Sequence, residues 1–212
     1  MKFLQLLFIL FSFQLNSIGQ KINAGYVDYK IKIEVGRGDA NVLTQKVEFI
    51  EVSNRMYFMD KVGLYVHQSS DNELAQIAPS KKMLFWKKGK YAYKHEFKDS
   101  NCCLLYSNLK TRYSIEHTKL HEVILGYACH KVLIYDDVNK ENYLAWYTPQ
   151  LQGGISPIGY LSVPGMVLKL ETPRVSYLAT EIIPQELNEK EFDIPKSKLK
   201  FSEKAFRSGI IP

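Results

Sequence analysis

GYVDYKIKIEV, residues 25–35, alternates without a break. Val27, Tyr29, Ile31, Ile33 and Val35 fall on one side, and Asp28, Lys30, Lys32 and Glu34 on the other. A period of two marks a strand with one buried and one wet face, as in an antiparallel sheet. Outward from it the same grammar repeats. Residues 44–52 and 55–59 read as two strands around Ser53-Asn54, and 62–68 as a third. Ser69 to Asn72 reads as a turn, with a short strand at 74–78. Residues 82–86 and 90–97 form a hairpin about Lys87-Lys88-Gly89, with Gly89 suited to a left-handed backbone. Residues 100–109 read as irregular. Residues 112–117 and 122–125 are short strands, and 127–136 with 141–148 a hairpin about Asp137 to Lys140. Strands follow at 166–171 and 175–183. The tail after Pro184 is charged, and Ser202 is placed to cap one short helix at 203–207. Short strands, polar turns and almost no helical period predict a mainly β fold. The expected architecture is one antiparallel sheet, a curved bowl or half-barrel with little helix.

The second informative stretch is AWYTPQLQGGISPIGYLSVPGMVLKLE, residues 145–171. A strand over 143–148 runs into a long Gly/Pro loop, and a second strand starts at Met166. The loop holds Pro149, Gly153, Gly154, Pro157, Gly159, Pro164 and Gly165, each a backbone constraint. It also carries Leu151, Ile155, Ile158, Tyr160, Leu161 and Val163, which a solvated linker would not. An ordered loop packed onto the sheet is expected, of the kind that lines or closes a site. Pro164 and Gly165 suit positions i+1 and i+2 of a type II turn, with Gly165 at positive φ. That pair would aim the loop onto the sheet. Trp146, Tyr147, Tyr160, Pro164 and Gly165 are the candidate ligand-binding residues, the aromatics as stacking surfaces beside a concave sheet.

The same residues carry a family resemblance. Ala145 to Pro149, the Gly/Pro loop, and Ser162-Val163-Pro164-Gly165-Met166-Val167-Leu168 together resemble the GLPGLI family, secreted proteins of Bacteroidetes. Gly126-Tyr127-x-Cys129-x-Lys131 is similar to that family's second recurring segment. The two segments cover about 45 residues. Ser162, Val163, Met166 and Val167 stand where the signature has Gly, Leu, Leu and Ile. The family has no established activity. Its likeness to the bowl-shaped N-terminal domain of a bacterial peptide-N-glycosidase implies a β-rich bowl and not a catalytic unit.

Composition sets the remaining bounds. The chain has 212 residues, long enough for one domain with a real core. Residues 1–19 read as a signal peptide: Lys2, an apolar run over 3–15, and small residues at Ser17 and Gly19 before the cut. No cysteine lies near the cut to accept a lipid. Residues 20–212 are then a single domain, exported to the periplasm or beyond and not lipid-anchored. The net charge is +6 and dominated by lysine. Its densest stretch is the hairpin 81–98, where seven lysines interleave with five aromatics. A two-faced hairpin, aromatics buried and lysines wet, accounts for that pattern. An anionic lipid or polysaccharide is the partner it otherwise suits; nucleic acid is not expected in an exported protein.

Three cysteines remain. In an oxidising compartment Cys129 is expected to bridge to Cys102 or Cys103, or all three stay as thiols. A bridge would close a loop of about 27 residues, worth roughly 3 kcal/mol in the chain-entropy model. The sequence shows no metal spacing. His117 and His121 are four apart but lie in strand and turn, with no third ligand. Cys129 and His130 diverge as strand neighbours, and Asp136-Asp137 fits a hairpin turn better than a catalytic pair. No cofactor motif is present. The expectation is a non-catalytic exported protein that binds a ligand or envelope partner through the 149–165 loop and concave face. The alternatives are an envelope or glycan hydrolase, and a structural or assembly factor using hairpin 81–98. N-terminal sequencing of the exported form should read from Gln20; a start at Met1 would contradict the signal peptide.

Overall fold

A computed structural model describes residues 22–35, 48–68, 82–96, 104–192 and 199–208. The signal-peptide residues, the strand at 74–78, and Cys102 and Cys103 lie outside them. The strands are β1 (Ala24–Val35), β2 (Glu48–Met59), β3 (Val62–Gln68), β4 (Lys82–Lys88), β5 (Tyr91–Glu96) and β6 (Leu104–Asn108). After helix α1 (Leu109–Arg112) come β7 (Tyr113–Ile124), β8 (Tyr127–Asp136), β9 (Glu141–Thr148), β10 (Ile155–Ser156) and β11 (Gly159–Tyr160). The chain continues through β12 (Met166–Glu171), β13 (Val175–Pro184), a 3-10 turn (Glu189–Phe192), β14 (Lys200–Ser202) and α2 (Glu203–Arg207). Twelve strands form one sheet in the order β14-β6-β5-β4-β3-β2-β1-β13-β12-β9-β8-β7. Every pairing is antiparallel except β14 with β6. The sheet is not closed into a barrel. Side chains of β3 and β4 nevertheless share a cavity with those of β9 and β13, so the sheet curls around a concave face.

β1 lies at the centre and keeps its alternation. Val27, Tyr29 and Ile31 are 0%, 1% and 0% exposed, whereas Lys30, Lys32 and Glu34 are exposed. Tyr29 satisfies its buried hydroxyl by donating to the Val167 carbonyl at 2.6 Å.

Four local expectations are corrected. Ser53-Asn54 is not a turn: β2 runs through it, paired with Lys30 and Tyr29 of β1 and with β3. Neighbouring strands on both sides override the local turn preference. Residues 113–124 are likewise one strand, bent by a bulge in which 118–120 stand opposite Lys131 alone. Thr118 holds that bulge by donating to the Lys131 carbonyl at 2.8 Å. Residues 104–108 are strand, not irregular chain, because β5 and β14 flank them. The hairpin 82–96 turns at Gly89 with φ +58°, as expected, but it has no wet face through its middle. Met83, Leu84, Phe85 and Trp86 are buried in succession. Phe85 faces inward onto Tyr160. Trp86 stacks on Tyr93 at 5.3 Å, in a second cluster with Leu64, Leu84, Leu104 and Phe192.

The 149–165 loop packs into the concave face, with Leu151, Ile155 and Leu161 all but fully buried. Its turn at 164–165 differs from expectation. Gly165 is not at positive φ. It is required for another reason: a Cβ there would sit well under 3.0 Å from the Thr148 carbonyl, and 2.8 Å from the nitrogen of Pro149. The loop thus returns against the very end of β9. A bulge at Val167–Lys169 also breaks the alternation of β12, so Met166, Val167 and Leu168 are all buried. Gly165→Ala should lower stability by about 1–3 kcal/mol, the usual range for overpacking against fixed atoms. Thermal denaturation and proteolysis within 149–165 check this; an unchanged melting temperature and cleavage pattern would refute it.

Candidate functional site

Arg112 ends α1, a single turn capped by Asn108, whose side chain accepts from the Lys110 amide at 3.2 Å. That cap sends the Arg112 guanidinium inward. It donates to Asp136 at 3.0 Å, to the Ser107 hydroxyl at 3.0 Å, and to Glu203. Asp136 closes β8 and is fully buried. It also accepts from the amides of Val138 and Asn139 (2.9 and 3.2 Å), the Asn139 side chain (3.0 Å) and the Tyr143 hydroxyl (3.2 Å). The 137–140 turn is therefore built on this carboxylate, as a hairpin-turn reading expects. Glu203 is the first residue of α2, whose cap Ser202 accepts from the Ala205 amide as predicted. Glu203 meets Lys94 at 3.0 Å, the Ser107 hydroxyl at 2.9 Å and Arg207 at 3.4 Å.

The network decides what these acids can do. Burial alone would raise the Glu203 carboxyl. The charges of Lys94 and Arg112, with hydrogen bonds from Lys94 and Ser107, outweigh burial and hold it down at about 2. A carboxyl so held stays ionised and has no proton to give.

Beside the network opens a cavity of about 290 Å³. Tyr65 and Tyr177 reach it from the sheet, and Pro157 and Ile158 wall it from the tip of the β10–β11 hairpin. Lys94, Arg112, Glu203 and Glu141 border it. A second space of about 20 Å³, room for one water, lies under Tyr160 and shares Lys94, Arg112 and Glu203. The Tyr160 hydroxyl has no hydrogen-bond partner.

The aromatics singled out in the sequence do not gather into one site. Trp146 is buried between the ammonium groups of Lys131 and Lys169, 4.9 and 4.1 Å from its ring. Tyr147 is stacked by His130 at 5.4 Å. Tyr160 packs beneath the loop on Phe85. Pro164 is exposed and Gly165 buried. Of the five, Tyr160 reaches the small cavity and none lines the larger one. Cys129 is a buried thiol on β8, and burial pushes it up to about 11, far from a ready nucleophile. His121 packs against His130 across the strands at 4.8 Å, and no three potential ligands converge on a metal position among the described residues. The residues that do build the cavity, Tyr65, Tyr177, Lys94, Arg112 and Glu203, come from five separate elements. Only Ser202 signalled any of this, by placing Glu203 at a helix start.

No family model matches the chain, and no curated protein does. Solved structures do. The chain is similar to PNGF-II, a peptide-N-glycosidase, in two crystal forms. One aligns with a TM-score of 0.54 at 15% identity, covering 89% of this chain and 33% of PNGF-II. The other gives 0.53 at 16%, covering 87% and 32%. The chain thus spans about a third of the length of that protein. At this identity the likeness establishes the fold, and it agrees with the bowl that the GLPGLI resemblance implied.

Arg112→Met should cost about 3–5 kcal/mol, because it takes the guanidinium from two buried carboxylates at once. The Glu203 pKa is depressed in the folded state, so its contribution is present above the ordinary carboxyl value of 4.5 and is lost as pH falls through about 2. That shift corresponds to roughly 3 kcal/mol. Urea denaturation should show stability falling between pH 4.5 and 2, and Glu203→Gln should flatten that window. A variant with the wild-type pH slope would refute the assignment.

Proposed function

We propose that the protein is an exported, non-catalytic β-rich module, related to the GLPGLI family, that binds a small ligand of the cell envelope. The site is the 290 Å³ cavity, where the concave face meets the tip of the 149–165 loop. Its volume lies at the lower end of the roughly 300–1,000 Å³ of ligand sites. The observation that carries the reading is the state of the neighbouring acids. Glycoside hydrolysis needs one carboxyl that holds a proton beside a second that does not. Glu203 is held ionised by Lys94 and Arg112, and Asp136 has its oxygens occupied by the 137–140 turn and Arg112. These acids fit an architectural role. Among the acids that line the cavity in the described residues, the hydrolase alternative would have to run through Glu141. For the assembly factor, the hairpin offers exposed Lys87, Lys88 and Lys90 at its tip. Lys94 instead points into the ion network.

The test uses the full chain. Incubated with glycopeptides, aryl glycosides and peptidoglycan fragments, it should leave all of them intact by mass spectrometry. Native mass spectrometry after purification from its own envelope should show a bound small molecule, lost in Ile158→Trp, which fills the cavity. Turnover of any substrate would replace the module with the hydrolase. Equal adduct masses in both proteins would remove the cavity as the site.

A further inference from the structure

The cavity carries unusual polar groups for so buried a place. Tyr65 and Tyr177 are 3% and 4% exposed and both line it. Neither hydroxyl makes a hydrogen bond within the described residues, and neither oxygen is sealed off as that of Tyr160 is, so both open onto the cavity. Hydroxyls that open onto a cavity bond water there, or a ligand that displaces it. These two phenols also stay neutral: burial raises both, and Tyr177 and Tyr29 raise Tyr65 further. They can therefore both donate and accept a hydrogen bond.

The charge around them is balanced. Along the wall Lys94, Arg112 and Arg207 stand against Glu203 and Glu141, and Asp136, buried behind Arg112, offsets the third cation; most of these are paired with one another. A free anion or cation would have to compete with pairs already formed. The rest of the wall is mixed: Met83, Pro157, Ile158 and Val175 are apolar, and Asn139, Tyr143 and Thr172 add polar groups.

Resting on the reading of this cavity as a ligand site, we infer that it takes one neutral, polyhydroxylated ring, a single sugar residue. Tyr65 and Tyr177 would bond its hydroxyls. The apolar part of the wall would cover the C–H face, and Glu141 and Arg207 would meet hydroxyls at the mouth. A ring of this kind supplies both donors and acceptors, which two neutral phenols require and which a simple anion does not supply. The small volume admits one ring rather than a chain.

Titration calorimetry or NMR of the full chain with glucose, galactose, mannose and N-acetylglucosamine tests this, with phosphate and acetate as anionic probes. At least one neutral sugar should bind more tightly than either anion. Tyr65→Phe and Tyr177→Phe, which remove only a hydroxyl, should each weaken that sugar about three- to tenfold. Their melting temperatures should stay at or above wild type, since no protein hydrogen bond is lost. Phosphate or acetate binding that is lost in Ile158→Trp would keep the cavity and overturn the sugar. Sugar affinity unchanged in both phenylalanine variants would overturn the role of the two tyrosines. No binding by any probe would overturn the sugar class, and the envelope adduct measurement would then judge the cavity separately.

Discussion

The fold depends on one buried guanidinium. An open sheet of twelve strands has two edges, β14 and β7, and no hydrogen-bond ladder to join them. Arg112 leaves the turn between β6 and β7 and grips Asp136 at the end of β8 and Glu203 at the end of β14. One side chain thus ties both margins of the sheet. Desolvating three charges is expensive, and Coulomb attraction repays it only when the remaining polar atoms are also bonded. That condition is met. Asp136 receives two backbone amides, an amide side chain and a phenol, while Glu203 receives Lys94 and Ser107.

The concave face would otherwise present a broad apolar surface to water. The 149–165 loop fills it with Leu151, Ile155 and Leu161, and Phe85 meets Tyr160 edge to face at 5.8 Å. This depends on Gly165, since only a residue without Cβ lets the returning chain lie on Thr148. Closure by the loop and by Arg112 leaves a larger space at the rim, walled by Pro157 and Ile158. The free margin of β7 is managed differently. Its bulge at 118–120 interrupts the flat run of amides and carbonyls that an exposed edge would offer to another strand.

What was legible in the sequence is what short-range physics decides. The alternation at 25–35, the hairpin 127–148, the left-handed Gly89 and the Ser202 cap each follow from a few adjacent residues, and each stands in the structure. Ser53-Asn54 misled because its turn preference is local, whereas two neighbouring strands settle its conformation. Gly165 was singled out as a backbone device for the wrong reason. Positive φ can be read from a Pro-Gly pair, but close approach to Thr148 depends on where a distant strand ends. The aromatics of the loop were expected to face a ligand, yet a loop rich in Leu and Ile goes where burial is greatest and takes Tyr160 with it. The cavity itself was not legible. Arg112 and Glu203 are 91 residues apart, and nothing near either one marks it as buried.

The two cavity tyrosines can be weighed against the rest of the core. Tyr29, equally buried, bonds the Val167 carbonyl, and Tyr143 bonds Asp136 and Asn139. In those places the hydroxyl contributes to the fold. At Tyr65 and Tyr177 it bonds no described residue and opens onto the cavity instead. Phenylalanine would fill the same positions without setting a hydroxyl on the cavity wall. Polar groups that make no bond within the fold and face open space are where a structure is arranged for something other than folding. The ion network makes the same point by contrast: Lys94, Arg112 and Glu203 are engaged with one another beside the cavity, while the two neutral phenols open onto it.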